Sequence, residues 1–164
     1  MIALFSIMLL SACSAMNPEN ADEVYANTPS WYVKKEDRHV VCAPAFYGAV
    51  DGWNSVAQLR TYKYEKNIVH VINVSPEQCI EPSMALDPDG ISLRVETEKK
   101  WVYEDSGVCH MEVFNLILSE KYLKDHTSKG IVVNLSGPRK GVVTIPAFYV
   151  EGYVRKLKAV GYMK

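Results

Sequence analysis

Cysteine and histidine are the side chains in this chain best suited to metal binding, redox or nucleophilic work. There are four of each. Cys42, Cys79 and Cys109 are widely spaced, with no C-x-x-C pair. His39, His70, His110 and His126 show no two members at ligand spacing. Cys109 and His110 are adjacent, and neighbours on a strand point to opposite faces. A disulfide with exposed histidines is therefore favoured over a zinc site built from the three cysteines and one histidine. No G-x-S-x-G, S-x-x-K, H-E-x-x-H or phosphate loop occurs. A thiol enzyme would need an activated Cys–His pair, and no neighbouring residue argues for one. The carboxylate pairs Glu96/Glu98 and Glu104/Asp105 read as solvated faces. Neither catalysis nor a cofactor is expected.

The fourth cysteine, Cys13, has a different setting. Met1 to Ala12 reads MIALFSIMLLSA, is uncharged, and is interrupted within its apolar run only by Ser6. Such a run is too short to span a bilayer as a helix, which takes about 20 residues. It suits the apolar core of a signal peptide. Leu10-Ser11-Ala12-Cys13 resembles the bacterial lipobox, an aliphatic residue and two small ones before cysteine. The resemblance implies cleavage after residue 12 and a diacylglycerol on the Cys13 sulfur. No Lys or Arg precedes the run, which departs from the usual pattern. The resemblance also implies outer-membrane sorting, because enterobacterial lipoproteins are sorted there when the residue after the modified cysteine, here Ser14, is not Asp. Ser14 to Ser30 is polar, non-periodic and contains two prolines, so residues 13–30 are expected to be lipidated cysteine and flexible tether. A coil of that length spans roughly 20–25 Å.

An exported chain meets an oxidising compartment, so one intramolecular disulfide is expected among Cys42, Cys79 and Cys109, with one thiol left over. Three pairings are open. Cys79–Cys109 is preferred because it would close two neighbouring hairpin regions. The loop of roughly 30 to 67 residues would contribute about 3–4 kcal/mol on the chain-entropy model.

These residues need elements to hold them. The chain has 164 residues, 48% apolar and 23% charged, with net charge −1. That is one domain with a real core, not a disordered chain, and it has no global field for nucleic acid. Residues 31–164 are read as a single β-rich domain. Strands are expected at Trp31–Val33, His39–Cys42, Val56–Tyr64, Ile68–Val74, Ile91–Thr97, Trp101–Tyr103, Val108–Phe114, Ile131–Leu135 and Val142–Ile145. Ile91, Leu93 and Val95 should share one face. Turns are expected at Lys66-Asn67, Asp87-Pro88-Asp89-Gly90, Ser106-Gly107 and Ser136-Gly137-Pro138. Helices are expected at Leu116–His126 and Ala147–Val160. In the second, Val150, Tyr153, Val154, Leu157 and Val160 form a stripe between Pro146 and Gly161. Gly152 inside it either costs about 1 kcal/mol relative to Ala or marks a close backbone contact. The fold class is mainly β: an antiparallel β-sandwich or partly closed barrel with two short helices, one at the C-terminus.

Ten tyrosines and three tryptophans serve either core or interface. For Trp53, Tyr62 and Tyr64 about half is expected in the core. Arg155, Lys156, Lys158 and Lys164 make a basic end, read as a solvated helix face in preference to a site for anionic headgroups.

Ile91-Ser92-Leu93-Arg94-Val95, Asp105-Ser106-Gly107-Val108-Cys109, Thr144-Ile145-Pro146, Gly152-Tyr153 and Leu157 together resemble the invasion-associated locus B family of exported bacterial proteins. Trp31 to Cys42 resembles that family's opening strand and cysteine. Residues 44–88 match it poorly, and the family's local cysteine pairs are reduced here to single members. The resemblance implies a β-rich exported domain linked to host-cell entry, and no catalytic residues. The functional expectation is a non-catalytic binding or accessory lipoprotein of the cell envelope. It is joined to the outer membrane through Cys13, faces the periplasm or the surface, and has a protein partner in the envelope or outside the cell. Host interaction, surface exclusion and a secretion or conjugation apparatus are the contexts that fit. The alternative is a periplasmic inhibitor of a hydrolase such as lysozyme.

Overall fold

Alternating β-branched segments bury one face each, so they pair until that face is covered. In the computed structural model, which describes residues 17–51, 54–77, 79–102, 106–107 and 109–164, ten strands do this. They are β1 (Ser30–Val33), β2 (Arg38–Cys42), β3 (Phe46–Tyr47), β4 (Ser55–Tyr64), β5 (Asn67–Pro76), β6 (Met84–Leu86), β7 (Ser92–Val102), β8 (Cys109–Leu118), β9 (Ile131–Ser136) and β10 (Gly141–Ile145). The order across the sheet is β1, β2, β4, β5, β8, β7, β6, β9, β10, all antiparallel. β3 pairs with the first half of β4 and β2 with the second half.

The sheet curls. Val50, just after β3, bridges Val143 of β10. Thr144 N–H donates to Ala49 O at 2.7 Å, and Asp51 N–H to Val142 O at 3.0 Å. The far edge is thus brought back to the β3–β4 connection, and the result is a half-barrel. Its concave face carries every second residue: Ala57 and Leu59, Ile72 and Val74, Phe114 and Leu116, Val133 and Leu135, Val143 and Ile145. Each of the larger side chains among these, fully buried, stabilises by about 1.5–3 kcal/mol.

Helix α3 (Ala147–Ala159) fills the concavity with Tyr149, Val150, Tyr153 and Leu157. Pro146 precedes it. Gly161 ends it at φ +73°, with Tyr162 N–H donating to Leu157 O at 2.8 Å and Gly161 N–H to Lys158 O at 3.1 Å. These bounds agree with the stripe read from sequence. Among the described residues no helix is long and apolar enough to cross a membrane.

Three expectations are corrected. First, the chain is already folded from Asn17. Helix α1 (Ala21–Ala26) is capped by the Asn20 side chain, which accepts from Glu23 N–H at 3.0 Å, and it buries Val24 completely. The tether reading fails over residues 17–30 because α1 has a partner, α3. A Cβ on Gly152 would lie 2.4 Å from Ala21 O and 2.6 Å from the Val24 Cβ. Gly152 therefore marks a close contact. Second, Leu116 to Leu118 belong to β8, and α2 spans only Glu120–Asp125. Leu116 and Leu118 face Ile72 and His70 across the ladder, and that pairing overrides their helical preference. Third, Ile91 is 46% exposed, because it lies in the turn before β7 rather than on the buried face with Leu93.

In an open helix position Gly→Ala stabilises by about 1 kcal/mol. Gly152→Ala is expected to do the opposite and cost about 1–3 kcal/mol, the usual range for overpacking. Thermal unfolding checks this; a variant melting at or above wild type contradicts the α1–α3 contact.

Candidate functional site

One cross-link joins two described cysteines. Cys79, in the loop after β5, is joined to Cys109 at the start of β8, with a Cα–Cα distance of 5.8 Å. This is the pairing the hairpin argument preferred. Beside it the Glu112 carboxylate, 1% exposed, accepts from Ile80 N–H at 2.9 Å and Glu81 N–H at 3.0 Å. Lys100 of β7 pairs with Glu81 at 2.6 Å. Disulfide, carboxylate and ion pair together fix the β7–β8 hairpin to the β5–β6 connection. Cys42 ends β2 and is 1% exposed. No described cysteine is a free thiol, so the expected left-over sulfhydryl is corrected: Cys42 is itself disulfide-bonded. Cys13 lies outside the described residues, as do Trp53, Glu104 and Asp105.

The histidines are not all exposed, which corrects that reading. His39 is exposed, with Tyr32 at 4.9 Å and Tyr162 at 6.5 Å between ring centroids. His126 is buried, stacked on Tyr122 at 3.9 Å, with Nε2 3.8 Å from Asp87 Oδ2. His70 is buried on β5 and meets different partners, described next. Among the described residues no group of three or more His, Cys, Asp or Glu could hold a metal.

A hydroxyl and an imidazole do meet. Thr61 Oγ1 lies 2.8 Å from His70 Nδ1 and 2.7 Å from Tyr153 Oη. Tyr153 also donates to Val41 O at 3.3 Å. Thr61 and Tyr153 are wholly buried, so the arrangement ties α3 to β4 and β5 and offers no path for a substrate. Burial holds His70 below its usual pKa, with Glu120 opposing in part. Burial likewise pushes the Tyr153 hydroxyl well above its usual value.

The other residues singled out from sequence are spread over the surface. Glu96 pairs with Arg94 at 2.7 Å, and Glu98 accepts from Asn73 at 2.9 Å and Asn115 at 3.3 Å. Tyr62 and Tyr64 point away from α3, with the Arg38 guanidinium 4.6 Å and 5.8 Å from their ring centres. Neither tyrosine is a core residue. Arg155 pairs with Asp22 at 2.7 Å, and Arg155 and Lys156 each lie 5.2 Å from the Tyr25 ring. The basic end is thus partly satisfied by α1.

What the strand patterns did not reveal is the convex face of the sheet. Directly opposed residues share a face. Tyr47 opposes Val56, and Val56 opposes Ser75. On the neighbouring pair Trp101 opposes Met111. Tyr47, Val56, Ser75 and Met111 line one open cleft of about 460 Å³, with Pro76 and Glu77 at its side. Tyr47, Met111 and Trp101 are 47%, 43% and 40% exposed. Five strands converge on this face, and a two-residue strand supplies its most prominent tyrosine. Only the register could have located it.

Because His70 is held below its unfolded value near 6.5, the unfolded chain binds a proton where the folded chain does not. Its contribution to stability is complete above about pH 6.5 and is lost as pH falls below that. Urea unfolding at pH 7.5 and pH 5.0 is expected to show a fall that His70→Gln reduces; equal falls contradict the assignment. Thr61→Val, which strips His70 and Tyr153 of their shared partner, is expected to cost about 1–3 kcal/mol at pH 7.5.

No family model, curated protein or solved structure matches the chain, so the locus B resemblance stands on its short motifs alone.

Proposed function

We propose that this chain is an exported, lipid-anchored accessory protein of a bacterial envelope that acts by binding another protein. The Cys79–Cys109 disulfide carries the reading, since such a bond persists in oxidising compartments outside the cytosol. The apolar leader ending at Leu10-Ser11-Ala12-Cys13 supplies the route and the anchor. The buried hydroxyls and carboxylates described above brace helices and loops, and none of them opens onto the convex cleft. That supports a role in binding over a role in catalysis. The β9–β10 pair, leading through Thr144-Ile145-Pro146 into α3, supports kinship with the locus B family.

Lipidation and disulfide formation at Cys13 exclude each other, because both use the same sulfur. Cys13→Ser is expected to move the protein from the membrane to the soluble fraction with its melting temperature unchanged. Persistence of the variant in detergent-extracted membranes overturns the anchor.

A further inference from the structure

With Cys13 read as the lipid anchor, the fold fixes which side of the domain meets the bilayer. The described chain begins at Asn17, whose Oδ1 accepts from the Tyr47 backbone N–H at 2.8 Å. Asn17 is therefore held at β3, on the rim of the convex cleft. Four residue steps separate it from Cys13, and four fully extended steps reach about 14 Å at most. The lipid attachment point cannot be far from Tyr47, whatever path those residues take.

The face next to that point carries exposed apolar side chains. Tyr47, Met111 and Trp101 are each at least 40% exposed. The strand path β3, β4, β5, β8, β7 puts Trp101 about 19 Å from Tyr47 by strand spacing. Tyrosine and tryptophan favour the headgroup level of a bilayer, where an apolar ring and a polar tip are both accommodated. Lys99 sits beside Trp101, with Nζ 6.0 Å from the ring, and adds a cation that suits phospholipid headgroups. The hairpin bearing Met111 and Trp101 is fixed at its turn end by Cys79–Cys109, so this face is presented as a unit.

We propose that the convex face bearing Tyr47, Met111 and Trp101 docks on the phospholipid surface, so that the anchored domain lies against the membrane instead of swinging free. This leaves the opposite, α3 side directed outward. The inference rests on the anchored reading of Cys13.

The test uses the full-length purified lipoprotein in phosphatidylethanolamine–phosphatidylglycerol vesicles, with and without brominated acyl chains. Flotation reports the anchor, and tryptophan quenching by the brominated lipid reports contact. Trp101→Phe, at an exposed position, should leave the melting temperature unchanged. If the protein floats and quenching is smaller in Trp101→Phe than in wild type, the docked face is supported. Flotation with equal quenching in both overturns the inference and leaves the anchored protein intact. Failure of wild type to float, with no lipid on Cys13, overturns the anchored reading and the inference together.

Discussion

The seating of α3 in the curled sheet governs the rest of the molecule. A half-barrel leaves a concave apolar face that water would otherwise wet, and a single amphipathic helix covers it. Leu157 and Val150 supply area, but area alone would let the helix slide. The hydrogen bonds of Tyr153 to Thr61 and of Tyr149 to the Pro44 carbonyl fix its position, because a buried hydroxyl without a partner costs free energy. His70 then completes the chain from below.

Once α3 is fixed, the start of the domain is fixed as well. Gly152 removes one side chain from the outer surface of α3, and α1 fits into the space. Val24 is buried there, and Arg155 reaches back to Asp22 across the exposed seam. The exposed ion pair adds little by itself; the close backbone approach is what sets the geometry. The chain before α1 is then directed to β3, where Asn17 meets Tyr47. A helix in the concave face thus determines that Asn17 sits at the edge of β3. A second restraint acts on the far side. The disulfide and the buried Glu112 hold the long β7–β8 hairpin, whose outer edge is charged and bulged between Thr97 and Lys99. Charge and bulge both protect such an edge from pairing with other chains.

Much of this architecture was legible in the residues. The mainly β class, the long strands and α3 followed from periodicity, and Pro146 and Gly161 bracketed the helix correctly. What could not be read was either short or dependent on a partner. β3 and β6 have two and three residues, too few for a pattern to register. α1 buries one side chain, Val24, so nothing in its own composition distinguishes it from a tether. Leu116 to Leu118 looked helical because the ladder with β5 is a long-range fact. Gly152 was legible as an anomaly whose cause needed α1. The convex face was invisible for a further reason: Tyr47 is far in sequence from Trp101 and Met111, and only register across five strands puts the three on one side.

Export followed by attachment at Cys13 leaves its mark on the mass of the N-terminal peptide from membrane-purified protein. The expected peptide begins at Cys13 and carries a thioether-linked diacylglycerol on its sulfur. A peptide in which residues 1–12 are retained, or in which Cys13 is disulfide-linked to Cys42 and carries no lipid, contradicts it.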